Sequence, residues 1–353
     1  MSYGLWVGTA GMYSRGLGKS PLHRVVGRRG DGLEWEADRD TPVTRPRIRD
    51  GPMPLRSLAL MCAIACAATN VLPAQSSAGD AVRRTIEVGG VSRSYLLHLP
   101  SSRRPGEPLP LLLVFHGGGG TASNIAEHTG LTPAAMPRGY AVVYPDGVNG
   151  QWSDGRATRA GADDVGFVRV LLDSLRRELP VDSRRIFATG ISNGAGMAFR
   201  LACDLPGTFA AIAPVAGALP GELDSRCAAA APVSVLMFQG TDDPLMPYDG
   251  GDLSLRRGRV LPAPTTANLF ARVNGCTEAP VVAAQPDTVT DGTRVRRSTY
   301  SSCRDGRDVV LFTIEGGGHT WPGGPPVGRS VGRVTRDLDA TRVMLDFFDR
   351  HPQ

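Results

Sequence analysis

The sequence predicts an α/β fold: a mostly parallel central sheet with helices on both faces, in a single domain. Three observations predict it: short continuous apolar runs, amphipathic segments between those runs, and no repeat or second apolar core after residue 80. Continuous apolar runs are typical of strands that are buried on both faces, as in parallel sheets. The chain has 353 residues, of which 41% are hydrophobic, and this is enough for one large core.

The predicted elements alternate along the chain after an antiparallel start. Residues 84–88 and 92–99 flank Gly89-Gly90, a spacing typical of a β-hairpin. Buried strands are predicted at the later apolar runs, which are 111–115, 140–144, 185–189, 210–215, 233–238 and 309–314. Helices are predicted where apolar residues recur at helical spacing or small residues follow a strand, at 163–179, from 195 onwards and at 337–350.

The N-terminal part of the chain has a different composition. Residues 1–52 mix Gly, Arg, Pro and Asp without a sustained period. Residues 53–78 run from a basic start through a short apolar stretch to small residues, which predicts a secretory signal peptide. We expect 1–52 to be a non-native or disordered extension, 53–78 to be the signal peptide and 79–353 to be the folded domain. Export to the periplasm or the extracellular space would follow, with a lipoprotein anchor at Cys66 as the alternative.

The distribution of charge along the chain bears on whether the folded part binds nucleic acid. Residues 1–56 hold ten Lys/Arg against six Asp/Glu, so four of the five formal positive charges lie there. The folded part is therefore almost neutral, and no nucleic-acid partner is expected. No run of 18 uninterrupted apolar residues occurs, so no contact with a membrane is expected beyond the export signal.

Four cysteines follow the signal segment: Cys203, Cys227, Cys276 and Cys303. An even count in an exported chain predicts disulfides, and four cysteines allow three pairings. We favour pairing of sequence neighbours, Cys203 with Cys227 and Cys276 with Cys303, and four buried thiols are the alternative. No two of these cysteines have the short spacing of zinc ligands, so no metal is expected.

A serine lies between two glycines at the end of a predicted strand. The run Gly190-Ile191-Ser192-Asn193-Gly194 follows strand 185–189 and precedes the helix from 195. A strand that turns sharply into a helix exposes the serine hydroxyl at the helix N-terminus, and larger residues than glycine would clash across the turn. The pattern therefore predicts Ser192 as a nucleophile, and a glycine-rich surface turn is the alternative.

A second glycine-rich run, His116 to Gly120, follows a predicted buried strand. Glycines let backbone N–H groups approach a substrate oxygen. We expect an oxyanion hole with one donor from Gly117 or Gly118 and the other from Asn193. A phosphate loop is the alternative, but no Gly-Lys-Ser/Thr follows. His116 itself is expected to be a structural hydrogen-bond partner rather than the base.

The other two catalytic groups are expected after later strands. His319 is the predicted base, because it lies on the glycine-rich loop 316–324 after the last strand. The acid is expected just after strand 233–238, where Asp242 and Asp243 are adjacent, and it would hold the imidazole in one tautomer. Successive residues of an extended segment point in opposite directions, so only one of the two can face the histidine. The pattern alone does not decide which.

Six segments together resemble the secreted esterases grouped as polyhydroxybutyrate depolymerase-like and feruloyl esterase proteins. The segments are 116–120, 144–147, 163–167, 190–194, 240–244 and 318–323. The resemblance implies an α/β-hydrolase fold from about residue 83 to the end of the chain. It also selects Asp243, the aspartate directly before the proline, as the acid. It supports both disulfides and implies no metal or cofactor.

The predicted function is therefore that of a secreted serine carboxylic-ester hydrolase. Its expected partner is an ester substrate, either of the polyhydroxyalkanoate type or a feruloyl or acetyl ester of a polysaccharide. Trp321 and Trp152 are expected to form walls of the acyl or sugar site, and a buried core position is the alternative for Trp152. The alternative functions are a serine peptidase and a catalytically silent hydrolase-like binding protein. No cap or propeller domain precedes the core, which disfavours the first, and the complete triad disfavours the second.

Overall fold

The computed structural model describes residues 81–353 except 103, 105, 160, 255 and 256. All of the described residues belong to one compact unit. The extension at 1–52, the signal peptide at 53–78 and the anchor at Cys66 lie outside the described residues. Within the described part, no helix combines the length and the apolar character needed to cross a lipid bilayer.

Twelve strands are found in the described part of the chain. They are β1 (Val82–Val88), β2 (Val91–His98), β3 (Leu109–Phe115), β4 (Ala141–Pro145), β5 (Val181–Ile191), β6 (Ala211–Val215), β7 (Ser234–Gly240), β8 (Gly251–Asp252), β9 (Arg259–Val260), β10 (Val281–Ala284), β11 (Arg294–Tyr300) and β12 (Val309–Glu315). Ten of them form one sheet in the order β1-β2-β4-β3-β5-β6-β7-β12-β11-β10, while β8 and β9 form a separate hairpin.

The centre of the sheet is parallel and its two edges are antiparallel. Strands β4, β3, β5, β6, β7 and β12 run parallel to one another. Strands β1 and β2 join one edge, and β11 and β10 join the other, by antiparallel pairing. Gly89 and Gly90 connect β1 to β2 with φ angles of 57° and 78°, the left-handed pair that a two-residue hairpin turn requires.

Seven α-helices cover the sheet in the described part. They are α1 (Ala122–Thr129), α2 (Leu131–Ala135), α3 (Asp164–Glu178), α4 (Asn193–Asp204), α5 (Asp224–Ala228), α6 (Ala263–Val273) and α7 (Ala340–Arg350). Three of them begin at side-chain caps, because Thr121, Asp163 and Asp339 each accept a hydrogen bond from the amide three residues later. Helix α3 and the closing helix α7 were both predicted from the sequence, at 163–179 and 337–350.

The core consists of two hydrophobic layers, one on each face of the sheet. Every residue of β3 is buried; Leu111 and Leu113 pack in one layer, and Leu112 and Val114 pack in the other. Helices α3, α4 and α6 contribute to the first layer, and α1, α2 and α7 to the second. Burial on both faces explains the continuous apolar runs, so the predicted fold class, an α/β-hydrolase fold in a single domain, is confirmed.

The sequence did not predict the second antiparallel edge of the sheet. Strand β10 is exposed along its whole length. Strand β11 contains three arginines, and only Val295 and Tyr300 are buried. Neither segment is a continuous apolar run, because an edge strand needs few buried side chains. The alternation that marks such strands is weak over four to seven residues.

The structure contains both of the favoured disulfides. Cys203–Cys227 joins the end of α4 to α5 and is buried. Cys276–Cys303 joins the segment after α6 to the segment between β11 and β12. Both bridges therefore lie on the side of the sheet that contains α4 and α6.

Candidate active site

Ser192 lies at the sharp turn between β5 and α4. Its backbone has φ 59° and ψ −119°, a left-handed conformation that few non-glycine residues adopt. A Cβ at Gly190 would lie 2.6 Å from the carbonyl oxygen of Phe115, and a Cβ at Gly194 would overlap the same oxygen. Both glycines are therefore needed because the end of β3 passes against the turn.

His116 links two loops next to this turn. Its Nε2 accepts a hydrogen bond of 3.0 Å from the amide of Gly147, so Nδ1 carries the proton and donates to the carbonyl of Gly117 at 2.8 Å. Burial lowers the pKa of His116, which favours this neutral form. The residue is a structural hydrogen-bond partner, as expected from the sequence.

Trp152 lies in the core and does not line the active-site cavity. Its side chain is fully buried, its indole N–H donates to the carbonyl of His116 at 3.0 Å, and its ring packs edge-on against Phe115. The expectation that Trp152 forms a wall of the substrate site is wrong, and the alternative of a core position is the one observed. The indole instead ties its own loop to the end of β3.

The side chain of Asn193 holds the loop of Trp152 from the other side. Its amide oxygen accepts from the backbone N–H of Trp152 at 2.8 Å, and its amide nitrogen donates to the carbonyl of Trp152 at 3.0 Å and to Asp154 at 2.7 Å. Asp154 also forms a buried ion pair with Arg156. The first residue of α4 is thus fixed by a network of buried polar groups.

The two predicted oxyanion glycines differ in their surroundings. A Cβ at Gly117 would lie 3.6 Å from the Cβ of Ser192, whereas a Cβ at Gly118 would lie 3.0 Å from the side-chain oxygen of Gln151. Gly117 is therefore the one that lies against the serine. Asn193 begins α4, so its backbone N–H is one of the amides that have no acceptor within the helix.

His319 and Asp243 are joined by a buried hydrogen bond. Nδ1 of His319 lies 2.8 Å from Oδ2 of Asp243, and the Asp243 side chain is fully buried. The other oxygen of Asp243 accepts from the amides of Leu245 and Met246, at 2.8 Å each. Asp242 is exposed and lies 3.9 Å from Arg333. The contact with the histidine is therefore made by Asp243, as the resemblance implied.

The loop that carries His319 is held by backbone contacts. The amide of His319 donates to the carbonyl of Val331 at 2.6 Å, and the amide of Gly318 donates to that of Arg333 at 2.9 Å. A Cβ at Gly318 would overlap the Val331 carbonyl, and a Cβ at Gly240 would overlap that of Gly317. The glycines around His319 thus allow neighbouring backbone segments to pack directly against one another.

Trp321, two residues after His319, turns away from the cavity. Its side chain is 1% exposed, its indole N–H donates to Thr341 at 3.0 Å, and it packs in the hydrophobic layer that contains α7. The expectation that Trp321 forms a wall of the substrate site is also wrong. Nearness in sequence to His319 therefore did not determine the direction of the indole.

Ser192 and His319 line one open cavity of about 850 Å³. Gly117, Gly118 and Asn193 line it as well. The shared cavity therefore brings the two side chains into one candidate site.

The cavity also has walls that the sequence motifs did not indicate. On the α1 side they include Asn124, Glu127 and His128, and burial lowers the pKa of His128. On other sides they include Gln151, Arg156, Arg257, Leu245, Met246, Pro325, Val327 and Val331. No pattern of glycines or spacing marks these residues, because they approach the serine only through the fold. No group of potential metal ligands is found among the described residues.

Comparisons with known proteins identify the family. The profile of the family described as "Esterase PHB depolymerase" matches residues 93–285. A protein of Nocardia uniformis subsp. tsuyamanensis named "Putative esterase NocK" is 37% identical over 75% of this chain and 81% of its own length. Feruloyl esterase B of Piromyces equi is 33% identical over 64% of this chain, but the match spans only 42% of that protein.

A solved structure is also similar. The acetyl xylan esterase from Aspergillus awamori superimposes with a TM-score of 0.48 at 15% identity, over 68% of this chain and 94% of that one. The family profile covers more than half of the chain, and the Nocardia relative covers three quarters of it. The chain belongs to the PHB depolymerase esterase family and is a carboxylic-ester hydrolase.

Proposed function

We propose that this hydrolase cleaves its ester through a triad of Ser192, His319 and Asp243. The observation that carries the proposal is the 2.8 Å bond between His319 and the buried Asp243, at a cavity that Ser192 also lines. Asp243 accepts a hydrogen bond from the N–H at Nδ1 of His319, so the lone pair of Nε2 is left free to accept a proton from the serine hydroxyl. The strained turn at Ser192 supports the role of nucleophile.

The reaction takes place in two halves. The oxygen of Ser192 attacks the ester carbonyl while His319 takes its proton, and negative charge develops on the carbonyl oxygen. The backbone N–H groups of Asn193 and Gly117 stabilise that charge, and Gly118 is the weaker candidate because it packs against Gln151. His319 then protonates the leaving alcohol, and water cleaves the acyl-enzyme by the same route.

The substrate class we propose is an ester of a polyhydroxyalkanoate or a feruloyl or acetyl ester of a polysaccharide. The family description and the name of the Piromyces relative support these two classes. The open cavity of about 850 Å³ is in the size range of pockets that take extended ligands. Both classes need the same triad, so the walls of the cavity must distinguish them.

The test compares the wild-type protein with Ser192→Ala. Each is assayed on p-nitrophenyl acetate, hydroxybutyrate oligomers, methyl ferulate and acetylated xylan, and each is treated with a fluorophosphonate probe. We expect wild-type turnover and labelling at Ser192, and a loss of about 10⁴-fold or more in the variant. A wild-type protein that binds these esters but neither turns them over nor becomes labelled would contradict the proposal.

We also propose that the protein is exported, with 53–78 removed as a signal peptide, 79–353 forming the catalytic domain and 1–52 preceding the native start. The composition of 53–78 supports this, and so do the two disulfides, which persist in oxidising compartments. N-terminal sequencing of the exported protein should find its first residue just after the signal segment. Residues 1–52 on the exported protein would contradict the assignment.

A further inference from the structure

The cavity wall contains two arginines that differ in their partners. Arg156 is buried, and its guanidinium pairs with both oxygens of the buried Asp154. Its positive charge is therefore compensated inside the protein. Arg257 also lines the cavity, as does Glu127. No ion pair within 4 Å joins Arg257 to a carboxylate among the described residues, whereas Arg156 has one.

Hydrogen bonds to neutral groups hold the side chain of Arg257 in place. Its Nε donates to the carbonyl of Ser254 at 3.1 Å, and one terminal nitrogen donates to the hydroxyl of Ser254 at 3.0 Å. The other terminal nitrogen has no acceptor within the described part of the chain. An oriented guanidinium with a donor that no described residue engages, and with no carboxylate in ion-pair contact, is suited to bind a substrate carboxylate.

The backbone of Arg257 is fastened to the catalytic framework. Arg156 donates to the carbonyl of Arg257 at 3.2 Å, and Gly258 packs against the side chain of Arg156 with φ 96°. Arg156 is bound to Asp154, and Asp154 is bound to Asn193, the residue after the nucleophile. Arg257 is therefore held at a defined position relative to Ser192.

We propose that Arg257 binds a carboxylate of the substrate, so that the preferred esters are short hydroxy-acid oligomers with a free acid terminus. In such an oligomer the terminal carboxylate always belongs to the alcohol side of the scissile ester. The charge would therefore be recognised on the leaving group, while the acyl part is held at Ser192. The inference rests on the proposed function and narrows it from two substrate classes to one.

The test uses two substrates that differ only in charge. One is a hydroxybutyrate dimer with a free carboxylate, and the other is the same dimer with its terminus blocked as a primary amide. The variants are Arg257→Gln and Arg259→Gln. Arg259 is a matched control, because it lies on the adjacent strand β9, is 68% exposed and does not line the cavity.

We expect the wild-type protein to prefer the acid over the amide, measured as kcat/KM at low salt. Arg257→Gln should lower that preference about tenfold or more, chiefly through KM, and Arg259→Gln should change it less than about twofold. The wild-type preference should also shrink as salt is added, because the subsite is partly exposed.

Two results would overturn the subsite. One is an equal loss on acid and amide in Arg257→Gln, and the other is an unchanged preference in that variant. Turnover of p-nitrophenyl acetate without turnover of either dimer would refute the substrate class and leave the triad standing. Failure on p-nitrophenyl acetate as well would refute the proposed function, and the subsite with it.

Discussion

The half of the site that carries Ser192 and the half that carries His319 are held by different kinds of interaction. Around Ser192, side chains on three segments form a buried network that includes His116, Trp152 and Asn193. Around His319, the one polar contact that the side chain makes with other described residues is with Asp243, and the loop is held by backbone packing. Many side-chain contacts therefore fix the position of Ser192, whereas the orientation of the His319 ring depends on a single carboxylate.

The largest loss of activity is expected at Asp243, because the orientation of His319 depends on this one side chain. Replacing Asp243 with Asn keeps its shape but favours the wrong tautomer of His319, which costs about 10⁴-fold in kcat in serine proteases. We expect Asp243→Asn to lose activity on that scale and to remain folded. Asp242→Asn is the matched control, because its side chain is exposed and should cost about tenfold at most.

Both variants are measured on one soluble ester, with circular dichroism as the check on folding. If Asp242→Asn proves to be the inactive variant, the acid is Asp242 and not Asp243. Wild-type activity in both variants would show that His319 does not depend on either carboxylate.

A smaller loss of activity is expected from a substitution around Ser192, because several contacts share the task of holding that part of the site. Asn193→Ala keeps the backbone N–H that is the proposed oxyanion donor but removes the two side-chain hydrogen bonds to Trp152. The position of that N–H should therefore shift slightly. Asn274 is a matched control, because it binds the N–H and carbonyl of Val233 in the same way, at 3.0 and 2.8 Å, away from the cavity. Both variants should lose about 1–3 kcal/mol of unfolding free energy.

Only Asn193→Ala should also lower kcat, by about 10- to 100-fold, with little change in KM. The measurements are denaturant unfolding and steady-state kinetics on the same preparations. A parallel fall in kcat in Asn274→Ala would mean that general loosening, not the position of the donor, accounts for the effect.

The smallest effect concerns acid pH. Burial lowers the pKa of His116 below its ordinary value of 6.5, so the folded state binds fewer protons than the unfolded state. The stability that comes from neutral His116 is complete above pH 6.5 and is lost as the pH falls toward the folded pKa. His116→Gln can still accept from Gly147 without titrating.

We therefore expect the unfolding free energy of the wild-type protein to fall more steeply below pH 6.5 than that of His116→Gln, by at most about 1.4 kcal/mol per pH unit. His128, whose pKa is also lowered by burial, remains in both proteins and contributes equally. Identical slopes in denaturant titrations at several pH values would show that His116 does not set this dependence.

The sequence predicted the parts of the site that depend on local backbone geometry. The glycines around Ser192 and His319 are needed because neighbouring backbone passes too close for a Cβ, and that need is visible as a pattern. The directions of Trp152 and Trp321 were predicted wrongly, because side-chain packing from distant segments decides them. Arg257 carries no local signal at all, since it reaches the cavity only through the folding of a hairpin.

The left-handed backbone of Ser192 has a consequence for thermal stability. A non-glycine residue in a sparsely populated region of this kind is strained by about 1–3 kcal/mol, and the surrounding structure holds it there. Glycine adopts positive φ without that strain, so an inactive Ser192→Gly protein should unfold at a temperature no lower than the active one, despite its more flexible unfolded chain. The working enzyme would then be no more heat-resistant than its own inactive form. Any difference between their unfolding temperatures would measure the stability that the protein loses by keeping a strained serine at this position.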